Sequence, residues 1–113
     1  MAKTLNQYLV EYPLESQNRY HQVKDLINSI EPDITPYMWG GIPTFQRGNH
    51  YVRIIVFKDH LNINTSIGIS VKELNPTYII TPKGMVQIFH HESLDIDWLK
   101  TLFQTVYYKD EVL

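Results

Sequence analysis

The chain predicts an α+β domain, a two-layer sandwich in which N-terminal and C-terminal helices pack on a mostly antiparallel sheet. Three patterns lead there. Apolar residues recur at helical spacing near both ends, alternate at period two in the middle, and are separated there by turns short enough for hairpins rather than crossovers. At 113 residues the chain builds one domain, residues 1–113, and its 43% hydrophobic content is enough for a packed core rather than a disordered segment.

Thr4 caps a short helix whose apolar positions Leu5, Tyr8, Leu9 and Tyr12 fall at i, i+3, i+4 and i+7. Pro13 ends that helix and suits the start of the next. The second helix runs to about Ile30 on a stripe of Tyr20, Val23, Leu26, Ile27 and Ile30, and Glu31-Pro32 stops it.

Pro32, Pro36, Gly40-Gly41 and Pro43 then mark a long shaped connection. Phe45 and Gln46 form a short strand before a hairpin turn at Arg47-Gly48-Asn49. Tyr51 to Phe57 is the strongest strand. Val52, Ile54 and Val56 share one face and Tyr51, Ile55 and Phe57 the other, which predicts a central strand covered on both faces. Lys58-Asp59-His60 turns the chain into Leu61–Asn64, which alternates as a half-buried strand should.

Ile67, Val71 and Leu74 place a helix over Ser66–Leu74, ended by Asn75-Pro76, although Gly68 and the β-branched residues weaken it. Tyr78–Ile80 is extended, Pro82-Lys83-Gly84 a turn, and Met85–Phe89 a strand. Asp95 caps the last helix, Asp97 suits the positive end of its dipole, and Ile96, Leu99, Phe103, Val106 and Tyr107 form its core stripe.

Composition excludes several classes. The chain has no cysteine, which removes disulfides, zinc-thiolate sites and thiol catalysis. No apolar run approaches the roughly 18 residues that would span a membrane, and the amino-terminal stretch lacks a signal-peptide core, so the expected setting is the cytoplasm. Residues 43–91 carry five basic groups against Asp59 and Glu73, between acidic ends, for a net charge of -2. That polarity is too mild to indicate nucleic acid.

Trp39, Pro43 and Phe45, with the glycine pair, can line an aromatic ligand cleft or form a structural corner packed on the sheet. His60, beside Asp59 and Lys58, can serve as a metal ligand or proton-transfer group, or can hold the turn through a backbone carbonyl. His90 and His91 point to opposite faces of a strand and cannot easily share one ion, whereas His90 and Glu92 can if the strand continues that far. Glu92, Asp95 and Asp97 make a weak oxygen-rich cation site conceivable, against a solvated acidic helix start. Lys83-Gly84 can present an ammonium and backbone N–H groups to an anion. No serine sits in a G-x-S-x-G elbow, and no catalytic set is assembled.

The order of these features resembles the YdhG-like family of small bacterial domains along nearly the whole chain. Tyr8-Leu9, Pro13 and Pro32 match its opening helices. Gly41-Ile42-Pro43-Thr44-Phe45 looks like its glycine-hydrophobic-Pro-x-Phe corner, Phe57-Lys58-Asp59-His60 its Phe-Lys-x-His strand end, and Lys83-Gly84 with Phe89 its last turn and strand. One departure stands out: the family carries a ring immediately before the corner glycine, whereas here Gly40 takes that place and Trp39 lies one step earlier. The resemblance implies a frataxin-like shape in a family of unknown function, some members of which are described as intracellular iron chaperones.

These readings lead to a binding module that holds a small ligand or metal ion beside the Gly40–Phe45 corner, with Lys58, His60 and Lys83 supplying polar groups. The alternative is a homodimeric interaction domain built on a tyrosine-rich surface and a free strand edge. If iron is carried, Glu92, Asp95 and Asp97 are the expected ligands, with His90 or His91 auxiliary.

Overall fold

The computed structural model describes residues 3–108; Met1, Ala2 and the last five residues, which the single-domain reading includes, lie outside the described residues. Helix α1 (Leu5–Leu9) begins at Thr4, whose side chain accepts the Gln7 N–H while the Gln7 side chain accepts the Thr4 N–H. This reciprocal capping box stabilises a helix too short to persist alone. Helix α2 (Leu14–Ile30) follows Pro13 and buries Ser16, Tyr20, Val23 and Ile27. Helix α3 (Ile96–Tyr108) buries Leu99, Leu102, Phe103, Val106 and Tyr107; relative to the stripe its spacing predicts, Leu102 is added and Ile96, 50% exposed, drops out. Asp95 caps it, its Oδ1 accepting the Trp98 N–H at 3.1 Å.

Six strands form one antiparallel sheet: β1 (Tyr37–Trp39), β2 (Ile42–Arg47), β3 (His50–Val56), β4 (His60–Thr65), β5 (Ile79–Ile80) and β6 (Val86–Phe89). Their spatial order is β1-β2-β3-β4-β6-β5, so β6 inserts between β4 and β5. Strand β1 and the length of β2 depart from the expected connection. Gly40 and Gly41 take φ of +54° and +80°, and Trp39 lies opposite Ile42. That is a two-residue hairpin turn with both central residues in the left-handed region, which glycine enters without steric cost.

The expected helix over Ser66–Leu74 is instead a 3₁₀ helix, Gly68–Leu74, which Asn75 ends at φ +53°. The glycine and β-branched content that weakens a full α-helix there explains the tighter, shorter form.

Both long helices lie on one face of the sheet. Val52, Ile54, Val56, Leu61, Ile63, Val86 and Ile88 point into the core from β3, β4 and β6 and are at most 1% exposed. Tyr8 and Tyr107 tie helices to strands. The Val56 N–H donates to Tyr8 Oη at 2.9 Å, and the Tyr107 hydroxyl donates to the Phe45 carbonyl at 2.7 Å. The expectation that β3 is covered on both faces is half corrected. The strand is interior to the sheet, but Tyr51, Arg53 and Ile55 remain half-buried on a face that carries no second layer of helices.

Candidate functional site

Register decides which residues share the open face. In an antiparallel ladder directly opposed residues project to the same side, and alternate residues along a strand do so too. Thr44 pairs with Arg53, Arg53 with Asn64, Ile55 with Asn62, and His60 with Phe89. The open face therefore carries Tyr37 and Trp39 from β1, Tyr51, Arg53 and Ile55 from β3, His60, Asn62 and Asn64 from β4, and Gln87 and Phe89 from β6. No strand contains an Asp or Glu, although the chain has 12 of them. In a protein of net charge -2 the strands thus contribute no carboxylate to the sheet surface, and Asp59 reaches it from the turn beside His60.

Two aromatic groups stand on this face. On the β1–β3 side the Arg53 guanidinium lies 3.7 Å from the centroid of the Trp39 ring and 3.9 Å from that of Tyr51. Such contacts hold an arginine by cation–π attraction and fix its orientation. On the β4–β6 side the His60 ring stacks on Phe57, with centroids 4.3 Å apart and planes 7° apart, and leans on Phe89 at 5.2 Å. His91 continues the row, 5.8 Å from Phe89. His60 Nδ1 is 2.6 Å from Asp59 Oδ1, so the turn carboxylate orients the ring and leaves Nε2 free of that bond.

The hydrogen bond from His60 holds the Asp59 carboxyl below its ordinary value of 3.8. A depressed carboxyl favours the paired form above its unfolded value and releases it as pH falls through the lowered one. The pairing is therefore complete at neutral pH and lost only in acid. Following the Asp59 carboxyl carbon by NMR should show titration below 3.8 in the wild type and a return towards that value in His60→Phe. Identical titration in both proteins would remove His60 as the cause.

Of the residues nominated from sequence, Trp39 and His60 reach the same face and the same end of the sheet, because the Gly40-Gly41 and Lys58-Asp59 turns lie at one end of their strands. Lys58 is exposed there. Lys83 sits at the opposite end, since β6 runs antiparallel to β4 and His60 pairs with Phe89 rather than with its start. Phe45 and Pro43 are buried on the helix side, Phe45 with no exposure, so the aromatic corner is structural and not the wall of a cleft. Trp39, by contrast, is 50% exposed. Arg53, Tyr51 and Phe57 have no sequence signature of their own as site residues; only the strand register brings them together.

The carboxylate cluster does not assemble. Glu92 Oε1 accepts the Phe89 N–H at 3.0 Å and closes the turn after β6, while Asp95 caps α3. His90 is buried on the helix side and bonds Ser16. Among the described residues no three His, Asp or Glu side chains converge as a metal site.

Ser16 and His90 instead fix the turn that presents His60. The buried Ser16 hydroxyl lies 2.8 Å from the Phe57 carbonyl, 3.0 Å from that of Lys58 and 2.9 Å from His90 Nε2. A hydroxyl has one proton, which the carbonyls take, so His90 donates its Nε2–H to Ser16 Oγ. Ser16→Ala leaves a part-buried carbonyl and a buried imidazole N–H unpaired and should cost about 2 kcal/mol. Urea unfolding measures this directly, and a change under about 0.5 kcal/mol, the range of ordinary surface substitutions, would remove the clamp.

Two concavities lie elsewhere. A groove of about 780 Å³ runs between α2, the 3₁₀ helix and α3, lined by residues including Ile30, Ile67, Leu74 and Tyr108. Another of about 520 Å³ is lined by Arg19, Asp25, Leu26 and Leu94 among others. Neither contains a nominated site residue. Among the described residues no helix is long and apolar enough to cross a membrane.

No family model matches the chain, and neither a curated protein nor a solved structure matches it.

Proposed function

We propose that the chain is a small-ligand-binding domain whose site is the open face of its sheet, with the Trp39–Arg53–Tyr51 group at one side and the Phe57–His60–Phe89 row at the other. The supporting observation is the character of that face: rings and amides surround a stacked arginine, and no strand contributes a carboxylate. Ligand sites combine apolar and aromatic walls with a few convergent polar groups, which is this composition. A cytoplasmic setting belongs to the same proposal. Metal carriage does not, because two of the three carboxylates it needs, Glu92 and Asp95, are engaged in a turn and a cap.

A homodimer is the second reading. Tyr37, Trp39 and Ile79 are 44%, 50% and 59% exposed on the open face, and β1 and β5 are the edge strands of the sheet among the described residues. Native mass spectrometry of freshly purified protein, with sedimentation over a range of concentrations, separates the two. The binding reading expects a monomer that retains a small molecule, released by Trp39→Ala. A tight dimer without adduct, broken by the same substitution, would replace it with the interface.

A further inference from the structure

We propose that Arg53, held by Trp39 and Tyr51, is the receptor for the carboxylate of a small planar organic acid; this rests on the open face being the binding surface. Arginine carries five N–H donors in a rigid fork that matches a carboxylate in bidentate fashion. Here the fork is set against two rings, 3.7 Å and 3.9 Å from their centroids, yet it makes no hydrogen bond or ion pair among the described residues. Its Nε is buried without a partner. A surface arginine ordinarily turns its donors to water or to a carboxylate, and burying an unpaired donor is unfavourable. The rings therefore keep Arg53 in a pose whose hydrogen-bonding capacity the protein does not use.

A second unsatisfied atom lies on the same face, on the neighbouring strand β4. Asn64 is directly opposite Arg53, and Asn62, one step along the same face, has a buried Oδ1 without a partner. The exposed Trp39 ring offers a stacking surface for a flat body. Charge limits the size of the anion. By register Arg47 and His50 project to the helix side, which leaves Arg53 as the permanent cation among the strand residues of the open face. One fork in a chain of net charge -2 fits a single carboxylate; a nucleic-acid backbone needs a row of cations.

The test uses benzoate as the planar acid, acetate as a carboxylate without a ring, and inorganic phosphate. Each is titrated into ¹⁵N-labelled full-length protein while the Arg53 Nε–H and Trp39 indole signals are followed. The Trp98 indole, which donates to the Leu74 carbonyl at 2.8 Å away from this face, reports that the fold is intact. Benzoate should shift both open-face signals along one saturating curve in the millimolar range, about tenfold more tightly than acetate or phosphate. Arg53→Gln should weaken benzoate about tenfold or more, and Arg53→Lys, which keeps the charge and loses the fork, should do nearly the same. Equal benzoate affinity in wild type and both variants overturns the receptor, as does phosphate binding as tightly as benzoate. Shifts confined to His60 and Phe89, or no saturable shift with any probe, also overturn it. Those last outcomes leave the binding-face reading to be decided by the retained molecule in native mass spectrometry.

Discussion

Gly84→Ala is expected to destabilise the domain by about 3–4 kcal/mol, far beyond any other glycine substitution here. Two terms add. Gly84 sits at φ +87°, in the left-handed region where a side chain costs about 1–2 kcal/mol. A Cβ at this position would also meet the Gly68 carbonyl carbon and the Ile69 nitrogen at 2.6 Å and the Gly68 oxygen at 2.9 Å. Those are backbone atoms at the start of the 3₁₀ helix and cannot swing aside, so the strain of overpacking, about 1–3 kcal/mol, comes on top. The contact matters for the site because it seats the turn before β6, and β6 brings Phe89 beside His60. Gly48→Ala is the control: it has φ +61° but open space around its Cβ, so only the conformational term applies, about 1 kcal/mol. Urea midpoints of the two variants should differ by more than twofold in free energy. Equal losses would mean that the Gly84–Gly68 approach relaxes at no cost.

The site was less legible in the sequence than the fold, for identifiable reasons. Helices α2 and α3 and strand β3 announce themselves through period, because seven or more residues repeat one pattern. Strand β1 has three residues and no room to alternate, and its Gly40-Gly41 turn reads equally as a shaped corner until Trp39 is seen opposite Ile42. The apolar second face of β3 suggested a covering layer. Tyr51 and Ile55 are instead partly shielded on a surface where Trp39 reaches across β2 to Arg53. The ring row needs the pairing of His60 with Phe89, residues 29 positions apart, which no local pattern encodes. Lys58 and Lys83 look equivalent as lone cations; strand direction puts them at opposite ends. Asp95 was legible as both cap and metal ligand, and its bond to the Trp98 N–H selects the cap.

Raising the pH should unfold the whole domain between about pH 10 and 12, because the core holds tyrosines in their neutral form. Burial pushes Tyr8 up from 10.0 to about 12, and pushes Tyr20 and Tyr107 further still in the same direction. All three are at most 8% exposed, and Tyr20 Oη has no hydrogen-bond partner to accept a charge. The sign follows from linkage. A group whose folded value is raised adds its full stability below the unfolded value and loses it as pH climbs towards the folded one. At pH 12 the two-unit lag of Tyr8 alone removes about 2.3 kcal/mol, and Tyr20 and Tyr107 each remove at least as much. The sum, about 8 kcal/mol, lies within the 5–15 kcal/mol total stability of such domains. Tyr8, Tyr20 and Tyr107 should ionise in one cooperative step as the near-UV circular dichroism collapses. Tyr20→Phe removes one buried acid without losing a hydrogen bond and should move the step to higher pH. If these three ionise smoothly while the dichroism persists, the core does not hold their rings neutral.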